Sequence, residues 1–235
     1  MFPPQCPLCL RSIFRSGWLC AECLDQLPLR PVRNCVRCGQ ETSERLFVCG
    51  RCLGNPYSPD AFYGAYFYEG SIRKLIIGLK FSDHTEWAAL LVRLGWRNLA
   101  VDLLWESSEM VIPMPLHVTR LLKRRFNQSA LLAAEFARRL HLPLVTNGLK
   151  RTKWTKPQTQ LTLVHRHNNV AGAFWADRDI VCGRAILLVD DVTTTGATMA
   201  SAVKTLKKAG ATRVAVVCLG VARSGQYHTI EHKGE

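Results

Sequence analysis

The chain has 235 residues, of which 48% are hydrophobic and 21% charged. This composition excludes a mostly disordered or collagen-like chain, and the length suffices for one or two folded domains. The net charge is +13, and residues 111–170 hold 11 cationic residues against one acidic residue. Such a local surplus predicts a positive face that binds phosphate groups, on a small ligand or a nucleic acid. The alternative is a solvated surface without a ligand.

Long apolar segments are missing from the sequence. The longest clean apolar stretches, such as residues 185–189, are far shorter than the roughly 18 to 20 residues that cross a bilayer. The first residues, MFPPQC, lack the basic start and apolar run of a secretory signal. We therefore predict a cytoplasmic protein without membrane insertion.

Cysteine is concentrated at the start of the chain. Eight of the ten cysteines form four C-x2-C pairs: Cys6/Cys9, Cys20/Cys23, Cys35/Cys38 and Cys49/Cys52. Two such pairs supply the four thiolates of a closed tetrahedral zinc site, so the count predicts two structural Zn²⁺ ions whose binding folds the segment. Disulfides and a redox C-x-x-C are the alternatives, and a reducing cytosol disfavours disulfides.

The order of pairing is open from spacing alone. Sequential pairs would form two zinc ribbons in tandem, and interleaved pairs would form a cross-braced module. We favour the tandem arrangement, because the short segment between neighbouring pairs closes a hairpin with little else needed. The remaining cysteines, Cys182 and Cys218, lie in apolar contexts and are predicted to be buried thiols.

Strand and helix patterns alternate after Pro56 and Pro59, in the manner of an α/β fold. In chain order the pattern predicts a strand over residues 62–67, helices from Gly70 and Trp87, a strand at Val111 and Ile112, a helix opening at Ser129, a buried strand over residues 185–189, a helix ending at Gly210, and a strand over residues 212–219. Continuous apolar strands are typical of a parallel sheet covered on both faces. We predict a zinc-binding module over residues 1–55, an α/β domain over residues 56–222 and a flexible tail over residues 223–235.

A polar turn, DDVTTTGAT, follows the buried strand. Hydroxyls and free amides at the start of a helix, with a glycine that lets the main chain approach closely, form a cradle for one phosphate group. The residues of this cradle are Thr194, Thr195, Gly196, Ala197 and Thr198. Asp190 and Asp191 would accept hydrogen bonds from a ribose diol, or hold Mg²⁺. A helix cap with two exposed acids is the alternative.

Residues 186–198 resemble the phosphoribosyl-pyrophosphate signature of the type I phosphoribosyltransferases. The whole chain resembles more closely the ComF family of competence and DNA-utilisation proteins, also called GntX-like. The resemblance rests on the cysteine pairs, Tyr68-Glu-Gly70, Lys80-Phe81, Ile112-Pro-Met-Pro115, Arg125-Phe-Asn-Gln128, Arg151-Thr152, Thr155, Gln158, Arg166, Asn169 and Gly172-Ala-Phe174. One departure is Arg125, where many relatives have Arg-Gly before the phenylalanine.

This resemblance implies a type I phosphoribosyltransferase-like parallel-sheet domain preceded by a double zinc ribbon. It implies that Asp190 and Asp191 meet ribose hydroxyls, that residues 194–198 hold the 5-phosphate, and that the loop from Pro113 lies beside the pyrophosphate with its Mg²⁺. Cations are expected on or near that loop and on a mobile loop over residues 151–156, which we predict to be disordered without ligand. The candidates for pyrophosphate or DNA binding are Arg120, Lys123, Arg124, Arg125, Arg151, Lys153 and Trp154.

Two functions are compatible with these patterns. A transferase would stabilise an oxocarbenium-like state with carboxylates while cations take the leaving pyrophosphate, but no acceptor pocket is evident in the sequence. A protein that binds single-stranded DNA would use the basic segment and its aromatic residues. The resemblance favours a DNA-uptake or DNA-utilisation factor that binds single-stranded DNA and phosphoribosyl pyrophosphate. A DNA-translocating helicase is a candidate partner, and an active phosphoribosyltransferase is the alternative.

Overall fold

The computed structural model describes residues 3–14, 18–30, 34–42, 48–81, 84–99, 108–152 and 172–223, except the side chains of Arg120 and Lys123. Its helices are α1 (Ala21–Asp25), α2 (Gly70–Phe81), α3 (Trp87–Trp96), α4 (Val118–Arg124), α5 (Gln128–Leu140), α6 (Arg178–Val181) and α7 (Ala197–Lys208). Its strands are β1 (Ala61–Phe67), β2 (Met110–Pro113), β3 (Leu149–Arg151), β4 (Phe174–Ala176), β5 (Ala185–Thr193) and β6 (Arg213–Val221). Within these ranges no helix has the length and apolarity needed to span a bilayer.

The central sheet is parallel, with strand order β1-β6-β5-β2. Leu188 of β5 lies between Ile112 of β2 and Val216 of β6 in the register. Strands β3 and β4 form a separate antiparallel pair. The predicted α/β class with a parallel sheet is thus confirmed.

Both faces of the sheet are buried, which explains the continuous apolar strands. Alternate residues of β5 point to opposite sides, so Leu187 packs into a core with helices α2, α3 and α5. Leu188 faces the other core, which contains Val203 and Leu206 of α7. Strands β3 and β4 contribute Leu149 and Phe174 to this second core. Helices therefore cover both faces of the sheet along β5.

The cysteine-rich segment packs along the open edge of the sheet at β1. The Phe62 amide donates to the Val36 carbonyl at 2.7 Å, and the Phe67 amide donates to the Pro28 carbonyl at 2.9 Å. An edge strand exposes unpaired backbone groups that can pair with other chains. The contacts from the cysteine-rich segment satisfy part of that edge.

Two arginines fasten the cysteine-rich segment to the α/β domain. Arg37 donates to the carbonyls of Pro59 and Cys52, at 2.9 and 3.0 Å. Arg30 donates to the Gly39 carbonyl at 2.6 Å within the segment and to the Gly64 carbonyl of β1 at 3.4 Å, and burial lowers the pKa of its guanidinium. The cysteine-rich segment is therefore held to the α/β domain by side-chain hydrogen bonds to backbone carbonyls.

Arg223 closes the described part of the chain. Its guanidinium donates twice to Glu69, at 2.9 and 3.0 Å, and lies 3.7 Å from the centroid of the Phe67 ring. The hydrogen bond from Arg223 lowers the pKa of Glu69. Arg223 is the first residue of the tail predicted over residues 223–235, and these contacts hold its side chain against Glu69 and Phe67. Residues 224–235 lie outside the described residues.

Two sequence-based expectations are corrected. Strand β5 extends through Thr193, so Asp190 and Asp191 lie on the strand itself and not in a loop behind it. Cys182 is exposed rather than buried, because it follows the four-residue helix α6 at a turn. Cys218 is buried in β6, as predicted.

Candidate functional site

The eight cysteines of the first segment form two tetrads. One contains Cys6, Cys9, Cys20 and Cys23, and the other contains Cys35, Cys38, Cys49 and Cys52, with all sulfurs of a tetrad within 4.8 Å of one another. The Cys9 and Cys20 sulfurs, and likewise those of Cys38 and Cys49, are 3.6 Å apart. A tetrahedron with Zn–S bonds of about 2.3 Å has sulfurs about 3.8 Å apart. The donor sets fit Zn²⁺, and the tandem pairing is confirmed.

The same distances exclude disulfides within these closest pairs, because bonded sulfurs are about 2.05 Å apart. In the second tetrad the Cys49 amide donates to the Cys35 sulfur at 3.2 Å. Such a bond stabilises a thiolate and holds it in position for a metal. Four thiolates without an open position are typical of a structural zinc site, so the tetrads fit structural Zn²⁺.

Asp190 lies at the end of β5 and is held by two donors. Its Oδ1 accepts from the Ser129 hydroxyl at 3.0 Å and from the Asp191 amide at 2.9 Å. Among the described residues, its other oxygen, Oδ2, has no hydrogen-bond partner. Asp190 therefore has a fixed orientation and one oxygen available to a ligand.

Burial raises the pKa of Asp190 to about 7, and the neighbouring charge of Asp191 adds to this effect. The hydrogen bonds from the Asp191 amide and Ser129 act in the opposite direction, as does the charge of Lys80. A carboxyl group with this pKa exchanges a proton near neutral pH. It can accept a hydrogen bond from a hydroxyl when charged and donate one when protonated.

Asp191 is only 4% exposed and is neutralised by a lysine. Lys80 Nζ, in the last turn of α2, lies 2.6 Å from Asp191 Oδ2. The Val192 amide donates to Oδ1 of the same carboxylate at 2.8 Å. Neither acid is exposed at the surface, so the alternative of a helix cap with two exposed acids is wrong.

The turn after β5 presents backbone amides at the start of α7. Gly196 has φ = +73°, a left-handed conformation that favours glycine, and no side chain caps the helix. Among the residues that the structure describes, the amides of Thr194, Thr195 and Gly196 have no acceptor. The Ala197 amide donates to Thr195 Oγ1 over a long 3.4 Å. Three unpaired amides at a helix start are available to donate to an anion.

The predicted cations are only partly brought to this site. Arg124, at the end of α4, lies 4.8 Å from the ring centroid of Phe81, which directly follows the Lys80 that binds Asp191. Arg125 is exposed. Arg151 lies on the separate β3–β4 sheet, with its guanidinium 5.5 Å from the Phe174 ring centroid. The side chains of Arg120 and Lys123, and all of residues 153–156 with Lys153 and Trp154, lie outside the described residues.

The sequence patterns predicted no role at the site for Lys80, Ser129 or Asn127. Asn127 caps α5 by accepting from the Ser129 amide at 3.0 Å, and its side-chain amide donates to the Met114 carbonyl at 3.0 Å. This cap fixes the helix start that places the Ser129 hydroxyl against Asp190. The signal for it was present, since asparagine directly before an amphipathic run is a typical N-cap.

Comparisons with known proteins match the cysteine-rich segment and the α/β domain to two different domain families. A double zinc ribbon domain profile matches residues 1–53, and a phosphoribosyl transferase domain profile matches residues 127–233. The DNA utilization protein YhgH of Escherichia coli O157:H7 is 32% identical over 225 residues, which cover 92% of this chain and 96% of that protein. Competence protein F of Haemophilus influenzae is 32% identical over 217 residues, which cover 90% and 93%.

A partial structural overlap exists with a purine phosphoribosyltransferase from Pyrococcus horikoshii, at 14% identity and a TM-score of 0.34, covering 68% of this chain and 78% of that one. The identification rests on the sequence relatives, which extend over nearly the full length. With its two cysteine tetrads and a phosphoribosyl transferase domain, the chain belongs to the ComF family of competence and DNA-utilisation proteins.

Proposed function

We propose that the protein binds the ribose 5-phosphate part of phosphoribosyl pyrophosphate at the carboxyl end of β5, and that it serves the uptake or use of single-stranded DNA in the cytoplasm. The choice of ligand is supported by the unpaired amides from Thr194 to Gly196, which follow Asp190 in the chain. Backbone donors suit a phosphate, and a carboxylate beside them suits a sugar hydroxyl. A phosphorylated sugar carries both of these groups.

The rest of the ligand would extend towards α4. The Arg124 guanidinium lies over the ring of Phe81, the residue after Lys80, and Arg125 is exposed at the same helix end. Cations there would balance a pyrophosphate group. Mg²⁺ bound to that pyrophosphate would supply further charge neutralisation.

Binding of single-stranded DNA is supported by an exposed aromatic residue among cations. Phe81 is 66% exposed with the Arg124 guanidinium over its ring. Leu122, one turn from Arg125, is 78% exposed. An exposed ring gives a base a surface to stack on, and the neighbouring cations neutralise the DNA backbone. The names of the relatives, which refer to DNA utilization and competence, support the same role.

An active phosphoribosyltransferase is the second candidate, favoured by the position of Asp190. A carboxyl group with one free oxygen beside the ribose could stabilise positive charge that develops at the sugar. Release of pyrophosphate from phosphoribosyl pyrophosphate in the presence of a panel of nucleobases tests this candidate. Turnover with a base would make the protein an enzyme, and binding without turnover would leave it a binding protein.

The binding proposal is tested by calorimetric titration with phosphoribosyl pyrophosphate. We expect saturable binding to the zinc-loaded protein and its loss in the Asp190→Asn/Asp191→Asn double variant, with the circular dichroism spectrum unchanged. Asp177→Asn/Asp179→Asn, a second acidic pair located at α6, is the matched control and should bind normally. Unchanged affinity in the Asp190/Asp191 variant would reject the site.

A further inference from the structure

Lys80 is positioned to neutralise part of the charge of the acidic pair, Asp190 and Asp191. We propose that its ammonium group, rather than a divalent metal, balances the charge of Asp190 and Asp191, so that the ribose 5-phosphate group binds at the end of β5 without Mg²⁺. This inference rests on the proposed function. It assigns a specificity role to a side chain on a helix distant in sequence from the phosphate turn.

The contact between Lys80 and Asp191 leaves little room for a metal ion on this carboxylate. Lys80 Nζ is 2.6 Å from Asp191 Oδ2, and the two side chains are 16% and 6% exposed. The other oxygen, Oδ1, is occupied by the Val192 amide at 2.8 Å. Mg²⁺ requires oxygen ligands in near-octahedral geometry at about 2.1 Å. Both oxygens of Asp191 already bind donors of the protein, so this carboxylate is a poor ligand for Mg²⁺.

Asp190 alone does not make a divalent site either. Its Oδ1 accepts from Ser129 and from the Asp191 amide, at 3.0 and 2.9 Å. Only Oδ2 is left for a ligand among the described contacts. One carboxylate oxygen is sufficient to accept from a ribose hydroxyl, whereas Mg²⁺ bound to that oxygen alone would take its remaining ligands from water and be held weakly. The acidic pair therefore fits a sugar better than a metal.

The combined charge of Asp190, Asp191 and Lys80 also favours binding without a metal ion. Two ionised carboxylates without Lys80 would repel a phosphate held on the nearby amides of Thr194 to Gly196, and the mostly buried position would strengthen that repulsion. With Lys80 paired to Asp191, at most one net negative charge remains. A site balanced in this way admits an anionic ligand without recruiting a metal for that purpose. Any Mg²⁺ would then enter with the pyrophosphate and not with the sugar phosphate.

Ribose 5-phosphate is the suitable probe, because it lacks the pyrophosphate that binds Mg²⁺. The zinc-loaded full chain is titrated by calorimetry in buffer cleared of free divalent ions by a chelating resin, and again with added Mg²⁺. EDTA is avoided because it would remove the structural zinc. We expect the wild-type dissociation constant to be the same within about twofold, because the pair carries its own cation.

The Lys80→Met variant should become dependent on a metal or a proton. Without Mg²⁺ its affinity should fall by about tenfold or more, and Mg²⁺ should restore part of it. Lys80→Arg should retain binding without Mg²⁺. Lys74→Met, an exposed lysine on the same helix α2, is the matched control and should behave as wild type.

A double variant separates this role from a loss of folding. Lys80→Met/Asp191→Asn removes both charges, so it should fold and bind ribose 5-phosphate without Mg²⁺. Wild-type binding that requires Mg²⁺ would overturn the inference while leaving the proposed function standing. Lys80→Met binding that equals wild type in both buffers would also overturn it. Failure of the wild type to bind in either buffer would instead reject the proposed site.

Discussion

Ser129, the second residue of α5, donates its hydroxyl to Asp190 at the end of β5 across 61 positions of sequence, with 3.0 Å between the oxygens. Ser129 is only 1% exposed, so this bond has no competition from water. It orients the carboxyl group while leaving one of its oxygens free. The start of one helix and the end of one strand thus jointly define the candidate site.

The pKa of Asp190 makes stability depend on pH. Its carboxyl has a pKa of about 7 in the folded protein and about 3.9 in an unfolded chain. Between these values the folded state holds the proton more tightly, so the free energy of unfolding falls as pH rises from about 4 to 7 and then levels off.

Asp190→Asn removes this penalty and should keep both hydrogen bonds, since the amide oxygen can still accept. At pH 8 the variant should be about 2 kcal/mol more stable than the wild type, after discounting for partial exposure. The advantage should shrink by roughly 1 kcal/mol at pH 6, where zinc is still bound. Urea unfolding at both pH values measures it, with the exposed Asp179→Asn as control. A variant that is less stable than wild type at pH 8 would show that burying the charged Asp190 carboxylate does not destabilise the fold.

Arg125 adopts a left-handed backbone conformation at the end of α4, with φ = +67°. A non-glycine residue in this region costs about 1 kcal/mol, which a glycine would avoid. Arg125→Gly should therefore leave the melting temperature unchanged or raise it slightly, because strain relief offsets the greater freedom of the unfolded chain. Arg125→Ala keeps the strain and serves as the comparison. A lower melting temperature for the glycine than for the alanine variant would contradict this explanation.

Zinc removal should destabilise the α/β domain as well as the ribbons. Cys6 is fully buried and belongs to the same core cluster as α2 and α3. Elemental analysis should find two zinc ions per chain. Cys6→Ser should reduce the zinc content by one and lower the melting temperature of the whole chain. The exposed Cys182→Ser is the control, and a normal melting temperature for zinc-depleted Cys6→Ser would show that the two parts fold independently.

Binding of single-stranded DNA should depend on Phe81 and on salt. Loss of one stacking ring costs about 1 to 3 kcal/mol, so Phe81→Ala should weaken binding by about fivefold or more in fluorescence anisotropy. Arg124→Ala should lower the slope of log K against log salt by about 0.7. Phe14→Ala, another exposed phenylalanine but on the zinc-binding segment, should have no effect. A flat salt response in the wild type would remove the DNA proposal.

Much of the fold followed from local pattern. The buried run before Asp190 predicted a central strand, and the cysteine spacing predicted the two tetrads. The end of β5 could not be placed in this way, because Asp190 and Asp191 are polar and look like the start of a loop. They remain on the strand because β6 pairs with β5 as far as Thr193 and Val221.

The partners of the acidic pair were also beyond the sequence. Lys80 and Ser129 lie on separate helices, and only the packing of α2 and α5 against the sheet brings them to β5. Local periodicity identifies the face that each helix buries, but not the strand residue that its polar side chain meets. By contrast, the turn from Thr194 to Gly196 was predictable, because its glycine and its position before a helix are local features.

The most direct measurement is a crystal structure of the protein with phosphoribosyl pyrophosphate. We predict the 5-phosphate within hydrogen-bonding distance of the amides of Thr194, Thr195 and Gly196, and a ribose hydroxyl on Asp190 Oδ2, with Lys80 still paired to Asp191. A ligand bound elsewhere on the chain, with those three amides left without an acceptor, would contradict the account.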